Sequence, residues 1–409
     1  MFTVISSWLN EREEEAGVPV KNAGINFSSI PVAAAAWLMN TDKTTSSMMV
    51  MIFFICPIYY HMRRIGHNCV VDHHDFSAYT SAMPYYVQYP TWISPYVIPG
   101  LPIRWYSMMY LVAFAITYLL FKRQRKEGLI TCSDDETYSL FLHTIAGLIL
   151  GARLFSTLFY DGSWYYWTHP HLIFWPFSNG RFVGLPGMSY HGGLVGAVAG
   201  CMLFARRYRK RFLDIADTLV AGIPLGYTFG RLGNFINGEL WGRVSTASWA
   251  MVFPDAPSFS TNYEWVREIA RKIGMDYTSL AAVNLPRHPS QLYEALFEGV
   301  LLWVFLWFFI RHRKKFPGYV LSWYLIGYGS VRYVIEYFRE PDANLGFIIE
   351  AGAMSEPTAL FLSPLNISMG QLLSLAMVIA GVLFLIIGSK LKKKKIAAQA
   401  RRSGGRRHG

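Results

Sequence analysis

From Arg104 to Gly388 the chain alternates long apolar runs with short polar connectors. Seven runs predict helices over about 105–121, 137–159, 188–205, 213–230, 293–310, 318–338 and 367–388. Crossing the hydrocarbon takes about 20 apolar residues in a helix, which satisfies its own backbone there. The pattern therefore predicts an all-α polytopic membrane protein with seven transmembrane helices. Residues 1–82 follow another pattern. Pro31–Met39 is apolar but short. The apolar segment 48–60 is too short for a span and contains Pro57, which leaves it interfacial, re-entrant or unstructured. We read 1–82 as an N-terminal extension of unassigned role and 83–409 as the membrane domain. Met83 opens a natural lead-in to the first strong span, so a start at Met83 is a further expectation, which the N-terminal sequence of the mature protein would test.

The polar connectors divide by charge. Lys122–Lys126, Arg206–Arg211, Arg311–Lys315 and the tail 390–409 are rich in Lys and Arg. If all seven runs cross, these four segments share one side. The connectors Asp161–Gly187 and Glu340–Asn366 carry one basic residue between them, Arg181. Basic loops stay cytoplasmic. The start of the first span is therefore expected outside and the C-terminus inside, as a basic cytoplasmic tail. The loop 231–292 then lies outside. It holds Trp249, Phe253, Phe259, Tyr263, Trp265 and a helical-looking piece, Tyr263–Ile273, and is read as a small extracytoplasmic head.

Composition agrees with this class. The chain is 53% hydrophobic and only 16% charged, against about 25% charged in soluble proteins. A net charge of +12 would suit nucleic acid, but the basic residues sit in clusters between apolar spans, so no nucleic-acid partner is expected. Cys56, Cys69, Cys132 and Cys201 have neither metal spacing nor the density of a disulfide framework. The first fifteen residues include Glu11, Glu13, Glu14 and Glu15 and do not read as a secretory signal. Val71-Asp72-His73-His74-Asp75, with His61 and His67 nearby, resembles a metal cluster. It is read as a solvated loop, and no metal is expected.

Candidate chemistry lies where ionisable groups fall at membrane depth, because such groups are costly there and usually line a cavity. The fourth run, Leu213 to Phe229, leads into Gly230-Arg231-Leu232-Gly233-Asn234-Phe235-Ile236-Asn237-Gly238-Glu239-Leu240-Trp241-Gly242. Arg231 offers a planar fork of donors to a phosphate or carboxylate, so this stretch suggests a site for an anionic lipid headgroup. At the end of the sixth run, Tyr328, Arg332, Glu336 and Arg339 fall within an arc of roughly 80° on a helix. Arg332–Glu336 suits an i, i+4 ion pair. One Glu between two Arg leaves a positive surplus, which an anion site needs; a structural ion pair is the other reading. His191 opens the third run, and Gly192, Gly196 and Gly200 form a small-residue stripe suited to helix packing. Arg153 lies in the outer half of the second run. Arg104-Trp105-Tyr106 starts the first as an interfacial anchor. Asp217 is a helix-start or pairing group. Pro289 and Ser290 signal a helix start, and Glu294 enters the fifth run as a partner for an Arg.

Taken together, Tyr190-His191-Gly192-Gly193-Leu194, Gly230 to Glu239, His288-Pro289-Ser290-Gln291-Leu292-Tyr293-Glu294 and Arg332 with Glu336-Tyr337-Phe338-Arg339 resemble the bacterial prolipoprotein diacylglyceryl transferases. The resemblance runs in order from about Ile103 to Gly388. It implies transfer of a diacylglyceryl group from phosphatidylglycerol to the lipobox cysteine thiol of a preprolipoprotein signal peptide. A thioether forms and glycerol phosphate leaves. It also implies a multi-pass protein of the bacterial cytoplasmic (inner) membrane, working in the lipid bilayer without metal or soluble cofactor.

By that resemblance Arg231 holds the phosphatidylglycerol headgroup, with Asn234 beside it and Glu239 as the acidic position that follows. Arg332 is the second essential arginine and stabilises the leaving phosphate; Glu336 and Arg339 complete its face. His191 matches a proposed general base, although deprotonation assisted by arginine is equally drawable. Tyr106 contacts lipid or substrate, and Tyr328, Arg153 and Asn237 stand second to these. The alternative is a non-enzymatic anionic-lipid transporter or lipid-binding membrane protein. A transporter would be expected to show an internal repeat, and none is visible in the sequence.

Overall fold

A computed structural model of the chain describes residues 86–90, 92–98, 100–101, 103–160, 164–178, 180–182, 187–341, 346–350 and 357–404. The chain divides into Met1–Thr80 and Ser81–Gly409, and the described residues belong to the second unit. The expectations placed on 1–82, the His/Asp cluster and a start at Met83 lie outside the described residues.

The fold is mostly helical. Helices α1 (Trp105–Lys126), α2 (Asp134–Phe155, continued by a π turn to Tyr160) and α3 (Tyr190–Arg207) come first. Next are α4 (Phe212–Val220), α5 (Ile223–Ile236) and α6 (Glu264–Lys272). The last are α7 (Ser290–Arg313), α8 (Tyr319–Ile335) and α9 (Met369–Gly404). Local sequence sets several ends. Ser133 accepts the Glu136 N–H at 3.0 Å while the Glu136 carboxylate accepts the Ser133 N–H at 2.8 Å. This reciprocal cap satisfies two orphan donors at the start of α2.

Among the described residues, four helices are each long and apolar enough to cross a membrane, and five if the bent pair α4–α5 counts as one span. The third and sixth expected runs are also helices. However, α3 carries Tyr190-His191 at one end and Arg206-Arg207 at the other, and α8 has only 17 residues. The fourth run is not one straight helix. It bends by 50° between Val220 and Ile223, at Gly222, with Pro224 in the following turn. Beyond the bend, α5 continues past Phe229, so Arg231 and Asn234 sit on its last turns rather than in a loop after it. The last helix runs on to Gly404, and the basic run Lys392–Lys395 continues it.

Close backbone approach organises the packing. The Gly192, Gly196, Gly200 stripe of α3 lies on α2. A Cβ at Gly196 would overlap the Gly147 carbonyl, and one at Gly200 the His143 carbonyl. Small residues at such crossings let two helices meet at backbone distance. Asp217, buried on α4, accepts the N–H groups of Gly318 at 2.8 Å and Leu321 at 2.9 Å, and Lys314 Nζ lies 3.1 Å away. It thus caps the free N–H groups of α8 and ties that helix to α4.

Between α5 and α7 the chain forms a small folded unit around Val244, Val266, Ala270, Val283 and Leu285, joined by Ala359. Strands β1 (Val87–Gln88) and β2 (Met251–Val252) pair in parallel, and β3 (Phe259–Ser260) and β4 (Ala282–Val283) pair antiparallel. The helical-looking piece of this loop is α6. Tyr89 Oη lies 2.9 and 3.0 Å from the carbonyls of Phe235 and Ile236, which covers the C-terminal turn of α5.

Candidate active site

The polar centre of the protein is built by α5, α7 and the end of α8. Glu294, fully buried on α7, is its hub. Its carboxylate lies 2.7 Å from Arg231 Nε, 3.3 Å from Arg332 Nη1 and 2.5 Å from Arg339 Nη1. Glu336 Oε2 lies 3.0 Å from Arg332 Nη2 and 3.5 Å from Arg339 Nε, and its other oxygen accepts the Ser368 hydroxyl at 3.2 Å. Glu298, also fully buried, has Oε1 3.6 Å from Arg332 Nη1. Three guanidiniums therefore face three carboxylates. The positive surplus expected from Arg332, Glu336 and Arg339 alone is corrected by Glu294 and Glu298, which enter from another helix. Partnering of this kind is what makes buried arginines tolerable.

The balance does not use every donor. A guanidinium has five N–H groups. Arg231 commits Nε to Glu294 and to the Tyr227 hydroxyl at 2.6 Å, and Nη1 to Asn234 Oδ1 at 3.3 Å. Its Nη2 makes no hydrogen bond among the described residues. The guanidinium is anchored along one side and keeps donors for an anion on the other.

Three distant stretches of sequence close around this cluster. Beyond α5, Gly238 (φ 68°) and Leu240 (φ 59°) both adopt the left-handed region, which suits the glycine but is a strained position for leucine. The turn is stapled from α7. Gln291 Nε2 donates to the Glu239 carbonyl at 2.6 Å and Ser290 Oγ to the Leu240 carbonyl at 3.0 Å. The Glu239 carboxylate accepts the side-chain amides of Asn234 at 2.9 Å and Asn237 at 3.3 Å. Gly242 donates its N–H to the His288 carbonyl at 2.8 Å. A Cβ there would overlap the Phe338 carbonyl and crowd His288, so glycine is required where the three segments meet.

Residues 95–387 match the family model described as prolipoprotein diacylglyceryl transferase. The chain belongs to that family. It is 46% identical to a phosphatidylglycerol–prolipoprotein diacylglyceryl transferase of Treponema denticola, over 76% of this chain and 97% of the relative. A Treponema pallidum relative of the same name is 44% identical, over 77% and 99%. One from Chlorobaculum tepidum is 41% identical, over 73% and 90%.

Within this member of the family, the expected site residues fall into two groups. Arg231, Arg332, Glu336, Arg339, Asn234, Asn237 and Glu239 form one connected polar network. Tyr328 borders it, with its ring 6.0 Å from Tyr227 and edge-on. Tyr106 lies against α5 through close contact of its backbone with Gly233, and its hydroxyl is 2.8 Å from that of Tyr110. His191 stands apart. It is exposed at the start of α3, and its Nδ1 lies 3.0 Å from the Tyr160 hydroxyl. Arg153 is buried, with Nε donating to the Ile173 carbonyl and Nη1 to that of Gly187 at 3.5 Å. It fastens the connector between α2 and α3.

Tyr227, Glu294 and Glu298 also belong to the centre; Glu294 was expected only as a partner for an Arg, which it is three times over, and Tyr227 and Glu298 were not expected there. A signal for the two glutamates was present, since both lie in an apolar run where a carboxylate needs a reason. Tyr227 gives no such signal, because tyrosine is ordinary in a membrane helix. The folded unit between α5 and α7 supplies one more titratable neighbour. Burial, with Arg243 adding to it, pushes the His288 imidazole down from 6.5 to about 4. Its Nδ1 lies 3.1 Å from the Tyr293 hydroxyl. Below 6.5 the unfolded chain takes up a proton that the folded chain refuses. Stability from this residue is therefore present above that value and is lost as pH falls toward about 4. His288→Gln is expected to flatten this part of the unfolding midpoint against pH.

Proposed function

We propose that Arg231 and Arg332 hold the phosphate while this chain moves the diacylglyceryl group of phosphatidylglycerol to the lipobox cysteine thiol of a preprolipoprotein. The chain is a transferase, and the reaction is the first step of lipoprotein maturation. A sulfur–carbon bond forms, the glycerol carbon–oxygen bond to phosphate breaks, and glycerol phosphate leaves. The observation that carries the site is the meeting of Arg231 from α5 with Arg332 and Arg339 from α8 and its C-terminal turn on one buried carboxylate, Glu294.

Charge on the phosphate grows as the carbon–oxygen bond breaks. Fixed donors in a site of low polarity stabilise that charge without having to reorganise. The carboxylates hold the guanidiniums where the phosphate needs them. The thiol must also lose its proton, because thiolate is the nucleophile. His191, held by Tyr160, is proposed for this step. His191→Gln is then expected to slow transfer by about 100-fold or more; turnover within a few-fold of wild type would remove it from the proton transfer.

We also propose that seven segments cross the membrane, α4–α5 together as one of them. The basic segments near Lys122, Arg206, Arg311 and Lys392 support cytoplasmic placement of those ends and of the C-terminus. The folded unit between α5 and α7 would then stand on the outer face, where lipobox peptides arrive. The test of the whole reading is a mass spectrum of a lipobox peptide incubated with the purified protein and phosphatidylglycerol. A diacylglyceryl mass gain on the cysteine, absent with Arg231→Ala, is expected. No gain with folded wild type that binds phosphatidylglycerol would favour lipid binding alone.

A further inference from the structure

The ion pairs of Glu294 and Glu336 explain why those carboxylates are buried. Glu298 is different. Its nearest guanidinium is 3.6 Å away, and its Oε1 is buried without a hydrogen bond. Among the described residues its one hydrogen-bond partner is the Tyr227 hydroxyl, which donates to Oε2. A buried carboxylate with so little compensation is costly, so its contact with Tyr227 needs an account.

Tyr227 lies one turn before Arg231 on α5. Its hydroxyl accepts Arg231 Nε at 2.6 Å, and its ring lies 4.7 Å from the guanidinium carbon. A hydroxyl has one proton to donate. With that proton directed to Glu298, the oxygen's lone pairs face Arg231. Glu294 Oε2, at 3.2 Å from the same hydroxyl, is the longer contact. The ring also packs edge-on against Tyr328, with centroids 6.0 Å apart. The helices are brought this close by Gly299, where a Cβ would overlap Thr228 Oγ1. The segment Glu294–Leu301 is π-helical, a distortion that often accompanies functional sites.

We infer that Tyr227 and Glu298 are a positioning pair for Arg231. Glu298 fixes the direction of the Tyr227 hydroxyl, and the hydroxyl fixes the roll of the guanidinium. Nε is thereby turned inward and the terminal nitrogens toward the phosphate. Neither residue needs to touch substrate. This inference rests on the proposed role of Arg231 as the phosphate ligand.

The test is steady-state transfer to a lipobox peptide with phosphatidylglycerol varied. Tyr227→Phe keeps the ring and loses the hydroxyl. It is expected to lower kcat/KM for phosphatidylglycerol by about 100-fold, as small misplacement of a catalytic group does, with KM for the peptide unchanged. Glu298→Leu should give a similar loss, and the double variant should be no worse than either. Glu298→Gln, which keeps an oxygen acceptor, should retain most of what Glu298→Leu loses. Wild-type kcat/KM in Tyr227→Phe would overturn the inference, as would losses that multiply in the double variant. Wild-type protein that transfers nothing would instead overturn the reading of the site.

Discussion

Arg231→Ala and Arg332→Ala are each expected to lower transfer by about 1,000-fold or more, with the protein still inserted in the membrane. The magnitude is that of removing a fixed cation or donor from a site where phosphate charge develops. Folding should survive because each variant leaves the hub occupied. Without Arg231, Glu294 keeps Arg332 and Arg339; without Arg332, it keeps Arg231 and Arg339. The check is the peptide mass gain per unit time, with unfolding midpoints measured alongside. Full activity in either variant would remove the proposed anion clamp. Loss of activity together with a collapsed midpoint would assign that arginine a structural role instead.

Glu294→Ala is expected to have the largest effect on stability. Three guanidiniums would lose their common partner at a fully buried position. Arg332 would keep Glu336 and Glu298 and Arg339 would keep Glu336, while Arg231 would keep, among the described residues, Tyr227 and Asn234. Removing one partner of a buried ionic cluster costs about 3–5 kcal/mol, because the remaining charges stay buried. The result should be a lowered unfolding midpoint in detergent and lost transfer. Glu294→Gln preserves shape and one oxygen acceptor and should fall less in stability. An unchanged midpoint in Glu294→Ala would show that the cluster does not depend on its hub.

These expectations differ in how far they could be seen in the sequence. Arg332 and Glu336 are one helical turn apart, so their pairing follows from helix geometry, and the contact is present at 3.0 Å. The partnership of Arg231 with Glu294 spans two helices, and no periodicity within either encodes it. The surplus of positive charge expected on the face of α8 is offset for the same reason, because α7 brings Glu294 and Glu298 against that face.

The amino-acid sequence by itself determined the membrane class, the positions of the apolar helices, the basic segments and the motif residues. These are local properties, since hydrocarbon demands a long apolar helix and charge is excluded from it. The sequence also carried the family. The tertiary structure decided the bend at Gly222 and the continuation of α5 through Arg231 and Asn234. It decided the meeting of three segments at Gly242, where a Cβ would not fit. It also decided the convergence of three arginines on Glu294 and the placing of Tyr227 between Arg231 and Glu298. The convergence on Glu294 and the placing of Tyr227 depend on the distance between backbones of separate helices. That distance is set by which small residues lie at their crossing, and not by the apolar pattern of either helix.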